Sequence, residues 1–201
     1  MKSALDLLRQ DGIAIRGSDG ELNPPIKMAN MHEVFAASCG TGALTGPSGM
    51  LELFHALRLI RNGVIHRNGE YSPSLLNRLQ SLPADAESYW EKVAGHSPSN
   101  VLTSDGGLRL NSGELVLSFG VNKSLAISVN AALGSAVSAE KWAEIAVEHF
   151  ASGTNAPKNS SSWARSLKGF VRHNYAPVQI TPAQLQTAAV AGGYWTIPRW
   201  I

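Results

Sequence analysis

Leu51-Glu-Leu-Phe-His-Ala-Leu-Arg-Leu-Ile-Arg-Asn-Gly-Val-Ile-His-Arg-Asn-Gly-Glu-Tyr71 combines helical patterning with charge set where a core should lie. At about 100° per residue, Met50, Leu53, Phe54, Leu57, Ile60 and Val64 fall on one stripe, and that stripe must face a core. Ser48, just after Pro47, is the expected N-cap; Gly69 stands where a C′ residue would, with Arg67 in the last turn. The helix is therefore expected to span about Gly49 to Arg67. Arg61 falls within the apolar stripe, one turn on from Leu57 and two from Phe54. A guanidinium held against apolar packing is costly unless an anion or an acceptor network meets it. His66 falls on the neighbouring polar flank with His55, Asn62 and Arg58.

Arg61-Asn62-Gly63-Val64-Ile65-His66 resembles the Arg-x4–6-His signature of the HEPN superfamily, including the Asn that often follows the Arg. The His66-Arg67-Asn68-Gly69 exit adds selectivity, although the resemblance covers only about a tenth of the chain. It implies an all-α helical bundle with the motif late in a long helix. It implies a metal-independent endoribonuclease as well, two motifs meeting across a homodimer to form a composite active site. The products would be a 2′,3′-cyclic phosphate and a 5′-hydroxyl, with no cofactor. Many superfamily members are toxins or effectors of antiviral defence, so an antitoxin or other regulatory partner is implied alongside the RNA substrate.

The residue types suit that chemistry. Cleaving RNA without a metal requires taking a proton from a 2′-hydroxyl, neutralising charge on the phosphate and protonating the leaving 5′-oxygen. A histidine suits proton transfer, and the planar fork of an arginine suits a phosphate. Arg61 and His66 are the expected catalytic pair, with Asn62 orienting the phosphate or the imidazole. Arg67, Asn68, Arg58 and His55 are candidate RNA contacts. Five residues place Arg61 and His66 about 140° apart on an ideal helix, but His66 lies in the final turn and Gly63 can ease local geometry. Each residue also has an ordinary explanation. Arg61 would satisfy buried carbonyls or a carboxylate such as Glu33; His66 and Arg67 would be favoured near any helix C-terminus. Two further readings compete: a HEPN-like helical module that binds a protein partner or nucleic acid without cleaving, and a coincidental motif in an unrelated helical protein.

Composition bounds these readings. The chain has 201 residues, 44% of them hydrophobic, which is ample for a core and suits a single domain over 1–201 with a C-terminal helical extension. Its one cysteine, Cys39, excludes an internal disulfide framework and a cysteine zinc site. The six histidines have no His-x3-His spacing, and no paired acids suggest magnesium, so no metal is expected. A charged N-terminus reads as no signal peptide, and no uninterrupted run of about 20 apolar residues stands out. The expectation is a soluble cytoplasmic protein with no membrane partner. A formal charge of +2 does not by itself announce a nucleic-acid binder.

Outward from the motif, short helices are expected near Ser3–Arg9 and Met31–Ala37, with a glycine-rich connector from Cys39 to Gly49 that lacks the Gly-Lys-Ser/Thr of a phosphate loop. Ser72-Pro73 opens a helix carrying Leu75, Leu76, Leu79 and Leu82, and a further one runs from Pro83 to about Val93. Ser97 to Gly107 is turn-rich. A small β-hairpin is expected near residues 108–119, with Leu108-Arg-Leu110 facing Glu114-Leu-Val-Leu-Ser-Phe119 across Asn111-Ser-Gly113. Helices follow from Asn122 to Ala132, after Ser138, from Ser162 to Asn174 and after Thr181, before an apolar tail, Tyr194–Ile201. Lys158, Arg165, Lys168, Arg172 and His173 gather basic charge late in the chain, and a solvated helix face is their ordinary explanation.

Overall fold

The structure is a computed structural model that describes residues 2–17, 19–27, 30–40 and 49–196. It is all-α. Among the described residues there are nine α-helices, two 3-10 turns and three isolated β-bridges. The helices are α1 (Lys2–Gln10), α2 (Met31–Ser38), α3 (Met50–His66), α4 (Pro73–Gln80), α5 (Ala84–Ala94), α6 (Ser112–Ala136), α7 (Ala139–Gly153), α8 (Ser161–Asn174) and α9 (Pro182–Ala191).

The chain divides into two compact units: Met1–Pro24, Ala37–Gly40 and Leu133–Ile201 form one, Pro25–Ala36 and Thr41–Ala132 the other. The second unit holds the motif helix. Leu53, Ala56 and Ile60 of α3 are buried with Leu75 and Leu79 of α4, Trp90 of α5, and Leu117, Val121 and Leu125 of α6. Side chains at i, i+3 and i+4 share a helix face, which is why each helix contributes a short row. In the first unit, Trp163, Leu167 and Val171 of α8 are buried with Ala143, Ala146 and Val147 of α7, Leu185 and Ala189 of α9, and Trp195. The rings of Tyr194 and Trp195 stack on Trp163, so this part of the apolar tail folds back; Ile197 to Ile201 lies outside the described residues.

Capping chemistry sets most boundaries where the sequence puts them. Ser72 accepts from the Leu75 amide ahead of Pro73. Ser138 accepts from Lys141, and Ser160 from Trp163. Thr181 forms a reciprocal box with Gln184. Ser48, the expected cap of α3, lies outside the described residues; the position before Met50 is Gly49, at φ 79°.

The expected hairpin over 108–119 is absent. Glu114 to Phe119 is helical, part of a continuous α6 that also takes in the expected helix from Asn122 to Ala132 and runs past its expected end. The reason lies in Asn111-Ser-Gly-Glu114. The Asn111 side chain accepts from the Gly113 amide at 2.6 Å, and the Glu114 carboxylate accepts from the Asn111 amide at 2.7 Å. That is a capping box, so the apparent turn is a helix start. Leu108 instead bridges Leu102, and Gly107 bridges Glu70. Glu114 is 5% exposed, and its other oxygen lies 2.8 Å from His96 Nε2. By length and composition α6 also passes as a membrane-crossing helix, although no unbroken apolar run marks it.

Candidate functional site

The site is built on the second unit from two helix faces. Phe54, Leu57, Arg58, Arg61 and Asn62 of α3 stand at i, i+3, i+4, i+7 and i+8, so they share one helix face. Ser118 and Asn122, one turn apart on α6, face them, and together these side chains line a groove of about 440 Å³, within the range of ligand sites. The Asn122 amide donates to the Ser118 carbonyl at 2.8 Å, which fixes its orientation.

Arg61 is exposed at this groove rather than packed within the apolar stripe. The buried row of α3 is Met50, Leu53, Ala56, Ile60 and Gly63, with His55 beside it, and Val64 is 47% exposed. The stripe thus turns away from Arg61, and among the described residues no carboxylate pairs with it; Glu33 is exposed on α2.

The structure brings Arg61, Asn62 and His66 together. Arg61 Nη1 lies 3.4 Å from His66 Nε2 and 3.4 Å from Asn62 Oδ1. Both distances are long for hydrogen bonds, which leaves the guanidinium's donors available to a stronger acceptor. The contact with His66 is attractive when Nε2 carries no proton. The reach of the arginine side chain spans the separation that helical geometry sets between the two positions.

What holds His66 in place is its exit. Arg67 leaves helical geometry at φ −129°, and its amide and that of Gly69 both donate to the Gly63 carbonyl at 3.1 Å. Asn68 sits at φ 53° and Gly69 at φ 86°, a reversal that asparagine and glycine tolerate best. The Leu108 amide donates to the Gly69 carbonyl at 2.8 Å, and the Tyr71 amide to Gly106 at 3.1 Å. A Cβ on Gly63 would stand 2.7 Å from the Glu70 carbonyl oxygen and 2.7 Å from Leu108 Cδ1. Gly63 therefore admits the returning chain, and the helix around it stays regular.

The secondary candidates separate. Arg58 is half-buried at the groove wall, and its Nε is buried with no partner among the described residues. Arg67 and Asn68 are exposed at the exit. His55 is 5% exposed, its ring 6.3 Å from His32 and 5.7 Å from Phe54. Burial, then the Arg78 and Arg58 guanidiniums, lower its pKa. It lies about 16 Å along the helix from His66 and is packed inside, so it does not join the cluster. Ser118 and Asn122 are not candidates from sequence, because Ser118 reads as strand and Asn122 as the start of a separate helix; the Asn111-x-x-Glu114 box is the signal that places both on one helix.

Burial pushes the Cys39 thiol up to about 11, away from nucleophilic use. Among the described residues, no group of three or more His, Cys, Asp or Glu side chains gathers to hold a metal ion. Compared with protein-family models, curated proteins and solved structures, the chain matches none.

Proposed function

We propose that this protein is a HEPN-like, metal-independent endoribonuclease acting on RNA in the cytoplasm. The observation that carries the reading is the juxtaposition of His66 with Arg61, which lines a groove together with Asn62, Arg58, Ser118 and Asn122.

A 2′-hydroxyl attacks the adjacent phosphorus; its proton passes to a base, the bond to the 5′-oxygen breaks and that oxygen takes a proton. The products are a 2′,3′-cyclic phosphate and a 5′-hydroxyl. His66 Nε2 is the proton-transfer atom. Arg61 donates to the non-bridging oxygens, where its charge offsets what builds up in the transition state. Asn62, beside both side chains, orients the phosphate or the imidazole through its amide. Arg58 lies one turn further along the groove and meets the neighbouring nucleotide.

One protomer supplies one such histidine, and the reaction uses both a base and an acid. A homodimer supplies the second. Leu115, Val116 and Phe119 on α6 are 59%, 56% and 68% exposed, and Val64 and Ile65 at the end of α3 are 47% and 54% exposed. These apolar side chains flank the groove residues in sequence, and a second copy covering them would set its own Arg61 and His66 nearby. A toxin or defence effector built this way would be restrained by an antitoxin or other regulatory partner.

Cleavage of total RNA by purified protein in EDTA tests this. Wild type should cut, and His66→Ala and Arg61→Ala should lose at least about 100-fold while keeping the wild-type circular dichroism. A binding module without activity would leave RNA intact in every sample.

A further inference from the structure

The formal charge of +2 conceals a division of the chain. All 15 acidic residues lie at or before Glu148, while Lys158, Arg165, Lys168, Arg172 and Arg199 follow it. Residues 1–148 therefore carry 12 basic and 15 acidic groups, net −3, and residues 149–201 carry 5 basic and none acidic, net +5. The folded unit that holds this stretch also contains seven acidic residues, so the basic charge is a local feature of the segment after Glu148 and not of the unit as a whole.

α8 gathers that charge. Arg165, Lys168 and Arg172 fall within an arc of about 60° on one helix face and span about 10 Å along it. Arg165 and Arg172 are exposed. Beside them lies a cavity of about 350 Å³ whose wall includes Lys168, Arg172, Tyr175 and Gln179, with Ile180 and Leu185 as apolar surface. Tyr175 is half-buried, its hydroxyl 3.0 Å from His149 Nδ1.

We infer that α8 and this cavity form a second RNA-binding surface, for single-stranded RNA, separate from the groove of α3. Three cations in a row along one helix face can neutralise successive phosphates of a flexible single strand. The cavity, with an aromatic ring and apolar surface beside two cations, takes a base of the same strand. A membrane surface fits less well, because Trp163, Ala164, Leu167 and Val171, the apolar face α8 would insert, are buried in the first unit's core. The inference rests on RNA as the protein's substrate, but its residues are none of those assigned to cleavage.

The test uses the full chain carrying His66→Ala and a fluorescein-labelled, unstructured single-stranded RNA, with anisotropy followed from 50 to 200 mM salt. Adding Arg165→Gln, Lys168→Gln and Arg172→Gln together should weaken binding at least tenfold and reduce the slope of log K against log salt by about 2, three contacts at about 0.7 each. Tyr175→Ala should weaken binding about fivefold with the slope unchanged. Unchanged affinity and slope in the triple variant, or no RNA binding by the parent, overturns the inference. So does equal or tighter binding to duplex DNA or anionic vesicles. Loss of binding in the triple variant with no cleavage by wild type would leave this surface standing and remove the nuclease reading. Cleavage by wild type with full binding by the triple variant would do the reverse.

Discussion

Arg61 and His66 depend on neighbours that have no chemistry of their own. The Gly63 carbonyl gathers two amides of the exit and its missing side chain admits Glu70 and Leu108. Gly63→Ala should therefore destabilise the protein by about 2 kcal/mol through overpacking, read as a lower urea midpoint, and lower cleavage as His66 is displaced. Arg61→Lys keeps the charge but loses the planar fork; it should retain part of the activity at best, well below wild type in initial rate. The imidazoles of buried His55 and half-buried His32 predict a pH effect. Burial lowers the pKa of both His55 and His32 from the ordinary 6.5. Below that value the unfolded chain takes protons the folded one refuses, so stability should fall as pH drops from 7 to 5. Urea unfolding of His32→Gln/His55→Gln should show a flatter acid limb than wild type; an identical limb would assign the dependence elsewhere.

At the scale of elements, α3 was legible because its apolar spacing, the Arg-Asn-x3-His run and the Asn-Gly stop all agree. Its buried row lies one step from the apolar stripe of the sequence: Ala56 and Gly63 are core positions that composition undervalues, while Val64 is outside, and that rotation moves Arg61 from the packed stripe to the groove. α6 departs from its sequence pattern for a different reason. Glu114-Leu-Val-Leu-Ser-Phe119 is β-prone, and Leu115, Val116 and Phe119 are apolar yet exposed, so the helical period is hidden by an outer face as hydrophobic as the inner one. The local capping box outweighs propensity there. Asn111→Ala should cost about 1 kcal/mol. Glu114→Ala should cost more than Asn111→Ala, since it removes the bond to the Asn111 amide and the contact with His96 together. Loss of helix signal and a lower melting temperature are the readouts.

At the scale of the molecule, the proposed cleavage reaction assigns a second copy to two features at once, the exposed apolar face of α6 and the single histidine per site. Phe119→Asp places a charge on that face without touching Arg61 or His66, so sedimentation should show monomers and cleavage should fall with dimerisation. Wild type that sediments as a monomer at working concentration and still cuts RNA would detach activity from assembly. The central claim, that the Arg61–His66 cluster cleaves RNA without a metal, is tested most directly by incubating labelled RNA with wild type and His66→Ala in EDTA and identifying the ends. Cleavage by wild type alone, leaving 2′,3′-cyclic phosphate and 5′-hydroxyl termini, is the expected result. Equal cleavage by both proteins, or intact RNA with both, contradicts it.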